Sequence, residues 1–298
     1  MNINWKGVFP AVTTKFNADE SLDRVGTADG IRVQLEAGAD GVIVCGSLGE
    51  ASTLSVEEKL EVVEIAREVC QARIPVLLTI AEDSTRTACN LARGAASAGV
   101  DGLMVLHGLR YLSDETETVA HFEALAAAAG SPMMIYNNPL AYGVDVALPA
   151  LGELAKNPLF VAIKESSGDI RRVTDIKREF GDRFKIFCGV DNLALEALMM
   201  GADGWVAGLC CAFPRETVAI YRAYRAQRYD EALELYRWFA PLLALDVSNK
   251  LVQNIKLAEA TVGLGTEHVR QPRLPLSGAE RANVAAVIDR ALATRPAL

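Results

Sequence analysis

Ala37-Gly38-Ala39-Asp40-Gly41-Val42-Ile43-Val44, Ala98-Gly99-Val100-Asp101-Gly102-Leu103-Met104-Val105 and Met200-Gly201-Ala202-Asp203-Gly204-Trp205-Val206 are one phrase written three times. Each copy follows a helical pattern, then gives Gly, then Asp-Gly, then an apolar run. Glycine ends helices in the left-handed conformation, so the phrase predicts a helix C-cap followed at once by a buried strand. Gly38, Gly99 and Gly201 are 61 and 102 residues apart. If those intervals hold two and four βα units, each unit has roughly 25–30 residues, the size of a parallel βαβ repeat.

Working outward, strands are predicted at 8–13, 41–45, 75–80, 102–106, 132–137, 159–163, 184–188 and 204–207. They are short, rich in Val, Ile, Leu and Met, and apolar on both faces, as strands covered on both sides are. Helical patterns lie between them. In 55–70, Val56, Leu60, Val63, Ala66 and Cys70 form one stripe, opened by a Ser55/Glu58 capping box. Eight strands alternating with helices predict an α/β fold, a (β/α)8 TIM barrel, with an open doubly wound sheet as runner-up. After residue 213 the pattern is wholly helical, at 215–227, 230–244, 249–262 and 277–293. The expected division is a barrel over 1–213 and a C-terminal helical extension over 214–298, packed on the barrel.

Of the 298 residues, 51% are apolar, and the net charge is -8 with acidic and basic residues interspersed. No block of Lys or Arg offers a footprint for nucleic acid or an anionic membrane. The six cysteines, at 45, 70, 89, 188, 210 and 211, form no CxxC pair and read as buried, reduced thiols of a cytoplasmic protein. The opening MNINWKGVFP has no basic region followed by an apolar run, so no signal peptide is expected, and no apolar stretch is long enough to span a bilayer.

A barrel of this kind carries its chemistry at the C-terminal ends of its strands. Those ends read Gly46-Ser47-Leu48-Gly49-Glu50, Tyr136-Asn137-Asn138-Pro139, Lys164-Glu165-Ser166-Ser167-Gly168-Asp169 and Cys188-Gly189-Val190-Asp191. Lys164 follows Phe160-Val161-Ala162-Ile163, so its amine starts at the mouth of an apolar barrel. Desolvation favours the neutral amine, which can attack a carbonyl. The competing reading is a strand-end lysine that reaches solvent or pairs with Glu165. A phenol at Tyr136 can relay a proton, or can be an interior aromatic with a satisfied hydroxyl. The Gly46-Ser47-Leu48 turn can offer N–H groups to a carboxylate, or be an ordinary βα turn. HExxH, Walker and nucleophile-elbow patterns are missing, as is a clustered Cys/His set. Of three histidines, His121 reads as structural, and His107, at the end of the fourth strand, could line the mouth.

Together, Gly7-Val8-Phe9-Pro10-Ala11-Val12-Thr13-Thr14, the GSLGE turn, YNNP and KESSGD resemble the dihydrodipicolinate synthase / N-acetylneuraminate lyase family of class I aldolases, over nearly the whole chain. The resemblance implies that Lys164 forms a Schiff base with a small 2-oxo or 2-imino acid and that Tyr136 shuttles a proton. It implies that Gly46, Ser47 and Leu48 hold the substrate carboxylate, with Ser47 in the relay, and that Gly189 and Val206 line the pyruvoyl pocket. It also implies a homotetramer and no metal or organic cofactor.

The departures bear on the substrate. Dihydrodipicolinate synthases usually have Thr where this chain has Leu48, and an arginine where it has Ala141. A tyrosine donated across their dimer corresponds to Leu109, with Tyr111 nearby. Val56, Lys59 and Gly108 match the feedback-lysine positions and suit lysine poorly. Within the family, Trp5 to Pro10, Tyr136 to Pro139, Ser166 to Asp169, Tyr236-Arg237-Trp238-Phe239 and Leu251-Val252-Gln253 are similar to the 1-pyrroline-4-hydroxy-2-carboxylate deaminases of hydroxyproline breakdown. Expected, then, is a deaminase that opens the ring, eliminates water and releases ammonia, giving 2,5-dioxopentanoate. The alternatives are a synthase of the dihydrodipicolinate type, an aldolase or dehydratase of 2-keto-3-deoxy sugar acids, and a non-catalytic 2-oxo acid binder. Asn138, Tyr142, Asp191 and Asn192 are the expected distal contacts.

Overall fold

The computed structural model describes residue 3 and residues 5–298. Eight parallel strands follow in chain order: β1 (Gly7–Pro10), β2 (Val42–Val44), β3 (Val76–Ile80), β4 (Gly102–Val105), β5 (Met133–Asn137), β6 (Phe160–Glu165), β7 (Lys185–Cys188) and β8 (Gly204–Ala207). Around the sheet they run β1-β8-β7-β6-β5-β4-β3-β2. The ring closes where Ala11 bridges Ile43 and the Val12 N–H donates to the Ile43 carbonyl at 3.0 Å. The architecture is the (β/α)8 TIM barrel with C-terminal helices. All eight expected strands are present, β8 with both ends as expected and the others with ends moved by up to three residues, the largest shift being the early end of β1. Lys164 and Glu165 belong to β6 rather than following it.

The helices are α1 (Arg24–Glu36), α2 (Val56–Cys70), α3 (Thr85–Ser97), α4 (Glu115–Ala129), α5 (Pro139–Tyr142), α6 (Leu148–Leu154), α7 (Arg171–Phe180), α8 (Ala194–Met199), α9 (Pro214–Arg225), α10 (Tyr229–Leu243), α11 (Leu251–Thr261) and α12 (Gly278–Ala293). The Ser55/Glu58 capping box opens α2. Its buried face is wider than the expected stripe. Val62 and Ile65 are buried with Val63, Ala66 and Cys70, while Val56, in the first turn, is exposed. Neighbours α1 and α3 flank α2 on two sides and so bury more than one stripe. Helix α9 packs against β1, α8 and α10; the expected boundary at residue 213 falls immediately before it.

The threefold phrase has a geometric cause. Gly38, Gly99 and Gly201 all have positive φ, as a left-handed cap requires. The aspartate two residues on pins the start of a neighbouring strand. Asp40 accepts from Val8 N–H at 2.9 Å, Asp101 from Val76 at 2.8 Å and Asp203 from Ile186 at 3.0 Å. The glycine after each aspartate makes room for an aromatic ring. A β-carbon on Gly41, Gly102 or Gly204 would come within 2.4 Å of Phe9, Trp5 or Phe187 respectively. Trp5, Phe9 and Phe187 plug the base of the barrel and pack with Met104, Met134, Tyr136 and Val206 in its interior. A second, larger apolar layer lies between strands and helices.

Candidate active site

Above that plug the strand ends enclose a cavity of about 670 Å³. It is lined by Gly46, Ser47, Leu48, Tyr136, Asn138, Lys164, Gly189 and Val206 together with residues the sequence reading did not single out. Lys164 and Tyr136 are register partners on β6 and β5. The lysine nitrogen lies 3.9 Å from the centroid of the tyrosine ring. Lys164 is buried. Glu165 does not pair with it, because that carboxylate accepts from Asn137 Nδ2 at 3.1 Å and from Ser167 N–H at 2.6 Å, and lies 3.5 Å from Arg172. The amine is therefore held in an apolar and aromatic setting without a carboxylate partner among the described residues. Gly189 makes this possible, since a β-carbon there would lie 2.5 Å from Lys164 Cε and 2.1 Å from Ser166 Oγ.

The turn after β2 is strained at both ends. Cys45 and Glu50, neither of them glycine, have φ of 53° and 54°. Neither Ser47 nor Leu48 N–H finds a backbone acceptor among the described residues, which leaves both for an anion. Thr14 donates to the Gly49 carbonyl at 2.7 Å. Glu50, fully buried, pairs with the equally buried Lys256 of α11 and accepts from Arg270 N–H at 3.1 Å. The extension thus anchors the turn.

Asn138 bridges two elements. Its Nδ2 donates to the Tyr136 hydroxyl at 3.2 Å, and its Oδ1 caps α5 by accepting from Ala141 N–H at 3.1 Å. Tyr142, at the end of α5, hydrogen-bonds the Ser47 hydroxyl, and its ring meets Tyr136 edge-on with centroids 6.0 Å apart. Burial, and next the neighbouring Tyr136, push the Tyr142 phenol up to about 12. The Tyr142–Ser47 pair therefore adjoins the Tyr136 ring that the Lys164 amine faces. His107 stacks edge-on against Tyr142 and is held below the ordinary histidine range by burial.

Asp191 is fully buried and engaged elsewhere: it accepts from Trp205 Nε1 at 2.8 Å and from the Gly208 and Leu209 N–H groups. Asn192 lines the cavity. His121 is held by Thr85 and the Leu106 carbonyl. Two groups escaped the sequence reading. Ser166 Oγ is buried without a partner beside Lys164. Asp246, on the 3₁₀ turn Ala244–Asp246 between α10 and α11, reaches the cavity from the extension. Ser166 stood in plain view within KESSGD; nothing in the local pattern around Asp246 signals an inward carboxyl.

Residues 4–291 match the profile of the dihydrodipicolinate synthetase family. The chain belongs to that family. It is a class I lyase, an enzyme that works through a lysine Schiff base. Dihydrodipicolinate synthetase family relatives include the 4-hydroxy-tetrahydrodipicolinate synthases of Methanosarcina mazei and Pelobacter propionicus. The first is 33% identical over 283 residues, covering 94% of this chain and 96% of the relative. The second is 31% identical over 289 residues, covering 95% and 98%. Among solved structures, the synthase of Methylacidiphilum fumariolicum SolV superposes with a TM-score of 0.91 at 29% identity, covering 97% of this chain and 98% of that one. A family member from an E. coli K12 prophage, in complex with pyruvate, also gives a TM-score of 0.91, at 26% identity, covering 97% and 99%. Among the described residues no helix is long and apolar enough to cross a membrane.

Proposed function

We propose that Lys164 is the Schiff-base lysine and that the substrate is 1-pyrroline-4-hydroxy-2-carboxylate. The observation that carries this reading is the charge of the cavity. Among the described side chains that line it, Lys164 is the one cation, and position 141 is alanine. A substrate carboxylate held on the Ser47 and Leu48 N–H groups uses the available anion site, and a second carboxylate would find no cation. The pyrroline carries one carboxylate. Lys164 attacks the ring carbon C2, and the ring nitrogen leaves that carbon as a primary amine. The iminium acidifies C3, and Tyr136, with the Tyr142 ring edge-on beside it and Tyr142 hydrogen-bonded to Ser47, takes its proton. The enamine expels the C4 hydroxyl; loss of a C5 proton and protonation at C3 and C4 then carry the double bond to the C5–N bond, and hydrolysis of the imines at C5 and C2 releases ammonia and 2,5-dioxopentanoate. Gly189 and Val206 shape the pocket around C2, and Asn138 holds the Tyr136 hydroxyl.

A second reading is 4-hydroxy-tetrahydrodipicolinate synthesis, favoured by the names of the curated relatives. It uses the same lysine but brings a second substrate with its own carboxylate, for which Ala141 offers nothing. The deciding experiment is intact-protein mass after borohydride reduction, with the pyrroline and with pyruvate in separate tubes. An adduct with the pyrroline that Lys164→Ala abolishes, with ammonia released in the unreduced sample, supports the deaminase. An adduct with pyruvate alone returns the protein to the condensing enzymes.

The cytoplasm is proposed as its compartment, supported by six buried, unpaired thiols. A homotetramer is proposed as its assembly, supported by exposed Tyr111 and Leu112 on the loop after β4 and exposed Leu140 on the neighbouring α5. Small molecules are the proposed partners, with neither nucleic acid nor membrane among them.

A further inference from the structure

The barrel supplies the lysine, the phenols and the turn, yet one carboxyl in the cavity comes from outside the barrel. Asp246 ends the 3₁₀ turn between α10 and α11, and that turn packs on the turn Asp191–Leu193 that follows β7. The carboxyl lies over the end of β8. A β-carbon on Gly208 would sit 2.4 Å from Asp246 Oδ1, so glycine at 208 is what admits it. The Gly208 N–H cannot satisfy it, because that donor is taken by Asp191 at 3.1 Å. Among the described residues Asp246 has neither a hydrogen-bond nor an ion-pair partner, although it lines the same cavity as Lys164. A half-buried carboxyl with no partner has its hydrogen-bonding capacity left for a ligand.

We infer that Asp246 donates the proton to the hydroxyl oxygen that leaves C4 of the Lys164-bound substrate. This rests on the deaminase reading above. Around the ring β6 lies between β5 and β7, with β8 beyond. The Schiff base on β6 therefore has Tyr136 on one flank and Asp246 on the other, so proton removal at C3 and proton delivery at C4 fall to different groups. The elimination balances as follows. The C2=C3 enamine pair moves to form C3=C4, the nitrogen lone pair restores the iminium, and the C4–O bond breaks. The departing oxygen takes the Asp246 proton and leaves as water. Asp246 regains its proton from solvent, next to exposed Val247. The charged groups facing Asp246 are Asp191, after β7, and Lys164, on β6. Burial, and then the Asp191 carboxylate, hold Asp246 well above the usual carboxylate range, with Lys164 opposing them, so the carboxyl is available as an acid.

The test compares wild type, Asp246→Asn and Asp246→Glu with 1-pyrroline-4-hydroxy-2-carboxylate, reading three quantities: the mass of the borohydride adduct, the rate of ammonia release and its pH profile. A general acid contributes on the order of 10²–10⁴-fold. The Asn variant should still form the Lys164 adduct, and the trapped species should retain the C4 hydroxyl. Its ammonia release should fall by about 100-fold or more, without the alkaline limb of the wild-type profile, and the Glu variant should recover part of the rate. Solvent deuterium entering C3 in the Asn variant would show that the Schiff base and proton abstraction survive, separating lost chemistry from lost folding. If Asn misfolds, Asp246→Ser is read in the same way. An Asn variant near the wild-type rate with an unchanged pH profile overturns the inference. So does a slow variant whose trapped adduct is already dehydrated. A wild type giving neither adduct nor ammonia with the pyrroline overturns the deaminase reading, and this inference with it. An active wild type beside an equally active Asn variant overturns this inference alone.

Discussion

Lys164 can lie against the Tyr136 ring only because residue 189 has no side chain. A methyl at 189 would press on Lys164 Cε and Ser166 Oγ at once. Gly189→Ala should therefore fold and lose most of its adduct formation, because the amine is displaced rather than removed. Borohydride trapping beside a circular dichroism spectrum checks this, and normal trapping would show that the lysine can repack. Tyr142 makes a different prediction. Its phenol, pushed up to about 12 mainly by burial, stays protonated at neutral pH and keeps its bond to Ser47. The sign of its linkage to stability follows: its contribution is complete below the free-phenol value of about 10 and is lost as pH rises through the folded value. Wild type minus Tyr142→Phe should show no tyrosinate absorbance from this residue at pH 10. The same variant should keep the Lys164 adduct while kcat falls by roughly 10²-fold, as for loss of one member of a proton relay. An unchanged kcat would remove Tyr142 from the relay.

At the scale of elements, the turn after β2 depends on α11. Glu50 and Lys256 are both fully buried, and Lys256 also donates to the His268 carbonyl at 2.7 Å. Burial holds the Lys256 amine below the ordinary lysine range despite the carboxylate beside it. Removing one partner of a buried pair strands the other. Glu50→Gln should cost about 3–5 kcal/mol in denaturant unfolding, and Glu50→Gln with Lys256→Met should lose less than Glu50→Gln alone. A single variant as stable as wild type would mean that water reaches the pair. The base of the barrel offers a parallel case. Gly204→Ala would drive a methyl into the Gly7 carbonyl of β1 and the Phe187 ring, each 2.4 Å away. Overpacking of this kind costs about 1–3 kcal/mol, read in the same unfolding experiment. It should leave the chemistry at the other end of the strands intact.

For the whole molecule, what could be read in advance follows what is periodic. The helix-cap, aspartate and strand phrase repeats because the same pinning hydrogen bond recurs at Val8, Val76 and Ile186, and so it located the strands. Strand order then placed Ser47, Tyr136, Lys164 and Gly189 on one rim. Tyr142 was expected in the distal pocket, but its bond to Ser47 depends on where α5 ends, which no local pattern records. Asp246 was illegible for a stronger reason: its meaning lies in a contact between Ala244–Asp246 and Gly208 on another element. The extension consequently does two things for the barrel that sequence reading treats as mere covering. It supports the turn after β2 through Lys256 and contributes a carboxyl to the cavity through Asp246. It also covers apolar surface, with Phe213 packed edge-on against Trp238 and Phe239 at centroid distances of 6.2 and 5.7 Å. Residues 1–228 expressed alone should then fail to trap substrate on Lys164, with Glu50 left charged and unpartnered. Co-expression with 229–298 should restore the adduct, because the contacts are noncovalent and the cut falls in the short connection between α9 and α10. If the isolated barrel trapped substrate as the full chain does, the extension would have no part in building the site, and the roles given to Lys256 and Asp246 would fall together.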